Sequence, residues 1–387
     1  MTSAATPGVV IVGSGLGGYT LAREFRKLDR ETPITVVTAD GGEAYSKPML
    51  SNALAQGKDA AALAQKSAGQ VAADLAATIL PRHRVTALNC GARIVTAQNA
   101  DGSIVQMLYD KLVLAMGADP RPYAVEGAAR VKVYSVNNLD DYAAWRDGLA
   151  PGARILLIGA GLIGCEFAND MAGAGFAVTI VDPSPWPLGR LLPEALGKEL
   201  ATALEDAGVT MHFGRSVARL EPGWAVLDDG TAFDFDRALS AIGLLPRLAL
   251  ARAAGLTVDK GIVVDHLMRS SDPDVYALGD CVQTKVGPLP FVLPLMAQAR
   301  ALAATLAGQE TVLKLPAMPV VVKTPCLPIA VCPPPAGAPG SWTLEGKGRD
   351  RKALFVDGQG QALGFALSGQ CVTERQALAK GMPDLLA

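Results

Sequence analysis

Apolar residues in this chain gather in short unbroken runs, and most runs end in a glycine-rich break followed by a stretch with helical spacing. VVIV at 9–12 reads as a buried strand, GSGLGG as a tight turn, and YTLAREF as the start of a helix. Residues 9–40 read strand–helix–strand and end at ITVVTAD. The order recurs from ARILLIGAGLIG through CEFANDM to VTIVDP at 178–183. YSKPMLS at 45–51 breaks the first pattern with a proline and predicts a loop, and an Ala-rich helix is predicted over 59–76. RVTALN, ARIVTAQ and SIVQMLY predict three strands, the last two joined through Asn99, Asp101 and Gly102.

KLVLAMGADPR at 111–121 is echoed by RALSAIGLLPR at 237–247. The echo brackets the second strand–helix–strand unit. Between them the pattern predicts a helix near 193–207, strands near 209–213 and 217–227, and a turn at Asp228–Gly230. Strands are expected around Asp280, then a helix after Pro294. From 312 prolines become dense. Short strands at 342–345, 352–356 and 362–367 and a helix near 372–380 predict a small α+β domain.

The fold class expected is α/β: two Rossmann-like dinucleotide-binding domains plus a small C-terminal α+β domain. The boundaries are 1–117 with 242–311 for the first, discontinuous domain, 118–241 for the second, and 312–387 for the third. A chain of 387 residues, 50% hydrophobic and 19% charged, suits that number of cores.

The net charge of −2 gives no case for nucleic acid or a membrane surface. The tail carries eight basic and five acidic side chains, a net of +3, against −5 for the remainder. Six cysteines lack CxxC or zinc-type spacing, so no metal site is expected and reduced thiols in a cytoplasmic protein are. The start, MTSAATPGVVIVGSG, lacks the pattern of a signal peptide. LPLMAQARALAATLAG holds Pro294 and Arg300 and reads as a helix of a soluble protein.

The glycines carry the first chemistry. In Gly13, Gly15 and Gly18, and again in Gly159, Gly161 and Gly164, one glycine makes the turn, one admits a pyrophosphate, and one lets helix meet strand. The phosphates then face the positive helix end. Asp40 and Asp182 follow where a carboxylate meets a ribose, with Thr38 and Ala39 leaving the register of Asp40 open. At the second loop a carboxylate selects NADH over NADPH, because it repels a 2′-phosphate.

GSGLGG, YSKPMLS, VLAMGADPR, GAGLIGCEFA, SAIGLLPR and VYALGDC stand in the order seen in the FAD- and NAD-dependent two-dinucleotide reductases, over residues 9–310. The chain resembles that superfamily. Its tail, MPVVVKTPCLP…VCPPP, is similar to that of NADH:rubredoxin reductases, with the flavorubredoxin reductases a close second. The resemblance implies FAD contacts at Lys47, Pro48, Val85, Ala115, Gly117, Arg121, Gly279 and Asp280. It implies that Leu295 and Met296 begin a helix whose amino end faces the flavin pyrimidine edge. For NADH it implies Leu162, Ile163, Ala241 and Gly243, and a Glu166 that meets the nicotinamide end and pairs with a lysine near flavin N5.

The lysine is where the chain departs from many relatives. Ferredoxin-type reductases place it directly after a YxRPxLS segment, where this chain has Asn52, and their arginine is Lys47 here. Lys47 and Lys323, in the VKTP turn, are then the candidate flavin-site cations. With Glu166 they form the expected catalytic set.

Residues 41–60 contain no cysteine, which excludes the redox thiols of disulfide reductases in this superfamily. Electrons leave by another route. The expected activity is NADH:rubredoxin reduction, with flavorubredoxin or ferredoxin as alternative acceptors and a redox-sensing flavoprotein as a rival from another class. Lys347, Arg349, Arg351 and Lys352 are the residues expected to steer an acidic carrier. The sequence leaves monomer and dimer open.

Overall fold

Two parallel five-stranded sheets with the same spatial order form the frame of the computed structural model, which describes residues 7–386. The first runs Val275–Ala277, Lys111–Leu114, Val9–Val12, Ile34–Val37, Thr78–Leu80. The second runs Val133–Tyr134, Arg237–Ser240, Arg154–Ile158, Ala177–Asp182, Thr210–Phe213. In both, the two echoing runs supply the strand beside the glycine-loop strand. Each sheet has a three-stranded antiparallel companion: His83–Asn89, Ile94–Asn99 and Ile104–Leu108 for the first, and Val217–Glu221, Trp224–Leu227 and Ala232–Asp234 for the second. The expected signal-peptide-free start falls largely on residues 1–6, outside the described residues.

The unbroken apolar runs become strands covered on both faces. Val9–Val12 is buried at every position, and so is Ile155–Ile158 within its strand. Burying each such aliphatic side chain contributes roughly 1.5–3 kcal/mol. The chain passes from the first sheet to the second through Ala118–Pro120 and returns through Leu244–Pro246. These two short strands pair antiparallel, so both crossings lie side by side.

Several elements differ from the sequence reading. YSKPMLS is not an open loop: Lys47–Asn52 is a 3-10 helix, and Pro48 suits its first turn, where no N–H needs a partner. The Ala-rich helix is two helices, Ala60–Leu63 and Ala68–Leu75. Gln65 between them gives its N–H to Ala44 O, and Ser67 restarts the helix with a capping box to Gln70. The strand near 217–227 is broken at Gly223, whose φ of +91° makes a hairpin turn. The helix expected from Leu295 begins earlier, as Val292–Leu306, with Pro294 inside its first turn.

The proline-dense tail hides two strands, Val320–Val322 and Ile329–Cys332. They join Ala362–Ser368, Asp350–Val356 and Ser341–Lys347 in one antiparallel sheet. Its prolines flank these strands, so no ladder N–H is lost. The closing helix is shorter than expected, a 3-10 turn Gly369–Glu374 and then Arg375–Ala379.

Candidate functional site

Both glycine loops have the geometry of a dinucleotide cradle. Gly13 has φ +115°, and a Cβ there would stand 2.3 Å from Ala115 O. Gly159 has φ +104°, and its Cβ would stand 2.8 Å from Ala241 O. Gly18 and Gly164 each press on the first glycine of their loop, at 1.9 and 2.0 Å for an added Cβ. Gly15 and Gly161, by contrast, face open space at the helix amino ends. The middle glycines thus leave room for a phosphate against unpaired N–H groups, and the residues present fit FAD at the first loop and NADH at the second.

The acidic partners are not equivalent. Gly13 donates its N–H to Val37 O and Gly159 to Val181 O, so Asp182 corresponds to Thr38, not to Asp40. Asp182 sits at the strand end, where its two oxygens accept the N–H groups of Ala160 at 2.6 Å and Ser184 at 2.7 Å. Asp40, two residues further on, turns back to the loop. Its Oδ1 accepts Ser14 Oγ at 2.9 Å, Thr38 Oγ1 at 2.6 Å and Gly42 N–H at 3.1 Å. Arg82 donates its N–H to Asp40 O and His83 to Thr38 O, which brings the strand carrying half-buried Val85 alongside.

The loop Leu114–Pro120 closes the first cradle. Ala115 is bonded through its N–H to Val12 O, and Gly117, at φ +68°, faces open space. Gly279 holds φ +83° and gives its N–H to the buried Gln298 Oε1 of the long helix. Leu295 packs toward both Gly279 and Gly17. The free N–H groups of that helix end belong to Val292 and Leu293, because Leu295 N–H bonds Phe291 O. Lys47 Nζ lies 4.0 Å from Asp280 Oδ2. Desolvation in the cleft pushes the Lys47 ammonium below its ordinary pKa, and Asp280 opposes that shift.

Gly243 has φ +103°, and its carbonyl accepts the Arg121 N–H. The Arg121 side chain itself is exposed. Its counterpart in the echo, Arg247, is the arginine that grips the crossing, with Nη1 2.9 Å from Met116 O and Nε 2.7 Å from Asp119. The echo held the signal for Arg247, which the sequence reading missed. Ile163, 44% exposed, and Leu162 begin the second helix.

The centre of the site is Glu166. It is fully buried, and both its oxygens are occupied. Oε1 accepts the Lys323 N–H at 3.0 Å; Oε2 accepts Ser51 Oγ at 2.6 Å and pairs with Lys323 Nζ at 2.8 Å. The same ammonium bonds Pro48 O and reaches Ser51 Oγ at 3.2 Å. Glu166 therefore meets a lysine from the tail and a serine from the 3-10 helix. Ser51 went unrecognised in the sequence although it lies within YSKPMLS.

Three of the four residues in the tail's basic cluster are engaged in ion pairs. Arg349 pairs with Asp206 at 2.6 Å and Arg351 with Glu199 at 2.8 Å, both on the helix Glu194–Asp206. Lys352 pairs with Glu345 and Glu374. Arg349 and Arg351 thus tie the tail to the second unit, Lys352 is paired within the tail, and Lys347 is exposed with no ion pair among the described residues.

All six cysteines are free. Cys165 and Cys281 are buried in the nucleotide loops, and burial pushes the Cys281 thiol up to about 11. Neither is poised as a thiolate. Among the described residues no three His, Cys, Asp or Glu side chains gather as for a metal, and no helix is long and apolar enough to cross a membrane.

Comparison with known proteins agrees with this geometry. Residues 7–301 match the pyridine nucleotide-disulphide oxidoreductase family, and residues 312–382 match the rubredoxin binding C-terminal domain. The chain is 43% identical to the rubredoxin-NAD(+) reductase of Alcanivorax borkumensis, over 98% of this chain and 99% of that one. It is 38% identical to the nitric oxide reductase FlRd-NAD(+) reductase of Aeromonas hydrophila, over 97% and 96%. Among solved structures it resembles the covalent putidaredoxin reductase–putidaredoxin complex, with a TM-score of 0.86 and 28% identity over 96% of this chain and 92% of that one. The chain belongs to the pyridine nucleotide-disulphide oxidoreductase family, and within it stands with the rubredoxin-NAD(+) reductases.

Proposed function

We propose that the chain is an NADH:rubredoxin reductase whose working centre is the cluster of Glu166, Lys323 and Ser51. Bound FAD supplies the chemistry, taking a hydride from NADH and releasing the electrons singly to rubredoxin. Segments 1–117 and 242–311 form the FAD domain, 118–241 the NADH domain and 312–387 the acceptor domain. Free thiols throughout suit a reducing, cytoplasmic setting.

The observation that carries the reading is that the cluster draws one residue from each of these three segments. Gly13, Gly15, Gly18 and Asp40 hold the FAD pyrophosphate and ribose, and Lys47, Pro48, Gly279 and Asp280 line the flavin side. Gly159, Gly161, Gly164 and Asp182 hold NADH, with Leu162, Ile163, Ala241 and Gly243 around it. Lys323 places a positive charge at the cleft, where it favours the reduced, negatively charged flavin. Buried Glu166 fixes that ammonium and balances its charge. The helix Val292–Leu306 directs its free N–H groups to the same end. With no cysteine in residues 41–60 and with Cys165 and Cys281 buried, the electrons have no redox-thiol pair to pass through and leave to a one-electron carrier. The match of the tail to a rubredoxin-binding domain supports rubredoxin as that carrier.

The test is a panel assay with NADH as donor and rubredoxin, flavorubredoxin and ferredoxin as acceptors. Rubredoxin is expected to give the highest kcat/KM. Preference for flavorubredoxin would move the chain to the nitric-oxide branch, and no turnover with any of the three would favour a sensor.

A further inference from the structure

We propose that Asp170 is a positioning residue, setting the segment 47–52 and with it Lys47 against the cleft. The proposal rests on the assignment of that cleft as the flavin site. On the helix Leu162–Gly173, Glu166, Asn169 and Asp170 lie at i, i+3 and i+4, on one face. Each accepts backbone N–H groups from outside its own unit. Glu166 takes Lys323 N–H at 3.0 Å, and Asn169 Oδ1 takes Cys326 N–H at 3.0 Å. Asp170 takes two, from Leu54 at 2.9 Å and Ala55 at 3.1 Å.

Asp170 is 4% exposed and makes no ion pair among the described residues; the Lys323 charge acts on it only from beyond pairing distance. A buried carboxylate without a paired cation is costly, and an apolar side chain would serve helix packing better. A carboxylate is suited here because it offers two oxygens to two consecutive N–H donors. Those donors follow directly on the 3-10 helix Lys47–Asn52. Gly173, one turn on, lies close enough that an added Cβ would meet Ala55 Cβ at 3.5 Å.

The stretch 47–55 is thus pinned at three points. Asp170 holds its far end, Glu166 holds Ser51 in its middle, and the Lys47–Asp280 contact lies at its near end. Releasing the far end lets it pivot about Ser51, and Lys47 and Pro48 O then shift against Asp280 and Lys323. Misplacement on this scale lowers a rate while leaving remote binding contacts intact.

The experiment compares the FAD-loaded wild type with Asp170→Asn and with Ala55→Pro. Ala55 is the second residue of the turn closed by Gly57 N–H to Leu54 O, a position that accepts proline, so the second variant deletes one of the two donors and spares the carboxylate. Both variants are expected to shift the midpoint potential of bound flavin and to slow its reduction by saturating NADH about tenfold, with KM for NADH within about twofold. A fall in melting temperature with unchanged potential and reduction rate in both variants makes Asp170 merely structural and overturns the proposal. Should Asp170→Asn not fold, Ala55→Pro alone decides, by the same two outcomes. Failure of wild type to be reduced by NADH would instead refute the assigned function, so the two failures are distinct.

Discussion

Glu166 and Lys323 stand 157 positions apart in the chain and meet at 2.8 Å, with the carboxylate fully buried and the lysine side chain one-third exposed. The two are not interchangeable halves of a pair. Removing one charge leaves a buried anion, and removing the other leaves a cation at the cleft.

Opposite signs follow for the flavin. Glu166→Gln makes the cleft more positive and is expected to raise the flavin midpoint potential, while Lys323→Met is expected to lower it. Lys323→Met also leaves Glu166 uncompensated, costing about 3 kcal/mol of stability. Dye-equilibration potentiometry and thermal unfolding of the two variants check both statements. Shifts of the same sign would remove Lys323 from the flavin's surroundings.

On the proposed function, Asp182 is expected to set the preference between nicotinamide cofactors. Asp182→Ser removes the carboxylate held by Ala160 and Ser184. KM for NADH is expected to rise about tenfold, the scale of one lost charge-assisted hydrogen bond, with KM for NADPH rising less or falling. Steady-state assays with both cofactors decide it. An unchanged NADH to NADPH ratio would place the ribose elsewhere.

The middle and last glycines of the first loop are expected to fail differently. Gly15→Ala fills open space that is proposed to hold the FAD phosphates, so the protein is expected to fold but to be isolated with little flavin. Gly18→Ala drives a Cβ to 1.9 Å from Gly13 O and is expected to disrupt the fold itself. Far-ultraviolet circular dichroism and the flavin-to-protein absorbance ratio separate the two outcomes.

The pairing of Arg351 with Glu199 predicts a part in assembly of the tail rather than in partner steering. Its guanidinium gives Nε and Nη2 to Glu199, with both side chains about a quarter exposed. Arg351→Ala is expected to cost about 1 kcal/mol of stability. The salt dependence of the rubredoxin association rate is expected to stay as in wild type. Loss of that salt dependence in stopped-flow traces would restore the steering role.

Burial raises the Asp170 carboxyl above its usual range, so between about pH 4 and that raised value the folded chain holds more protons than the unfolded one. Its contribution to stability is largest in acid and declines as pH rises through this window. The stability of wild type relative to Asp170→Asn is therefore expected to decline from pH 4 towards neutrality. Denaturant unfolding at several pH values measures it, and a flat difference would contradict the assignment.

What was legible in the sequence is what local sterics dictate. Each loop glycine has a single backbone reason to be there, and Asp182 ends its strand, so both read directly. Asp40 was half legible: only the pairing of Gly13 with Val37 shows that Thr38 occupies the equivalent position. Pro48 reads as a loop breaker in sequence but opens a 3-10 helix because its missing N–H falls in the first turn. The strands Val320–Val322 and Ile329–Cys332 were masked by the prolines around them. Hidden altogether were the contacts that join separate units. Nothing near Arg349 or Arg351 in the chain announces Asp206 or Glu199, and nothing near Ser51 announces Glu166.

The most direct measurement is double-mixing stopped flow on the FAD-loaded protein. NADH first bleaches the flavin anaerobically, and rubredoxin is then added. The flavin is expected to reduce rapidly in the first mix and to reoxidise in the second as two equivalents of rubredoxin are reduced. A flavin that NADH leaves oxidised, or one that stays reduced in the presence of rubredoxin, would contradict the account.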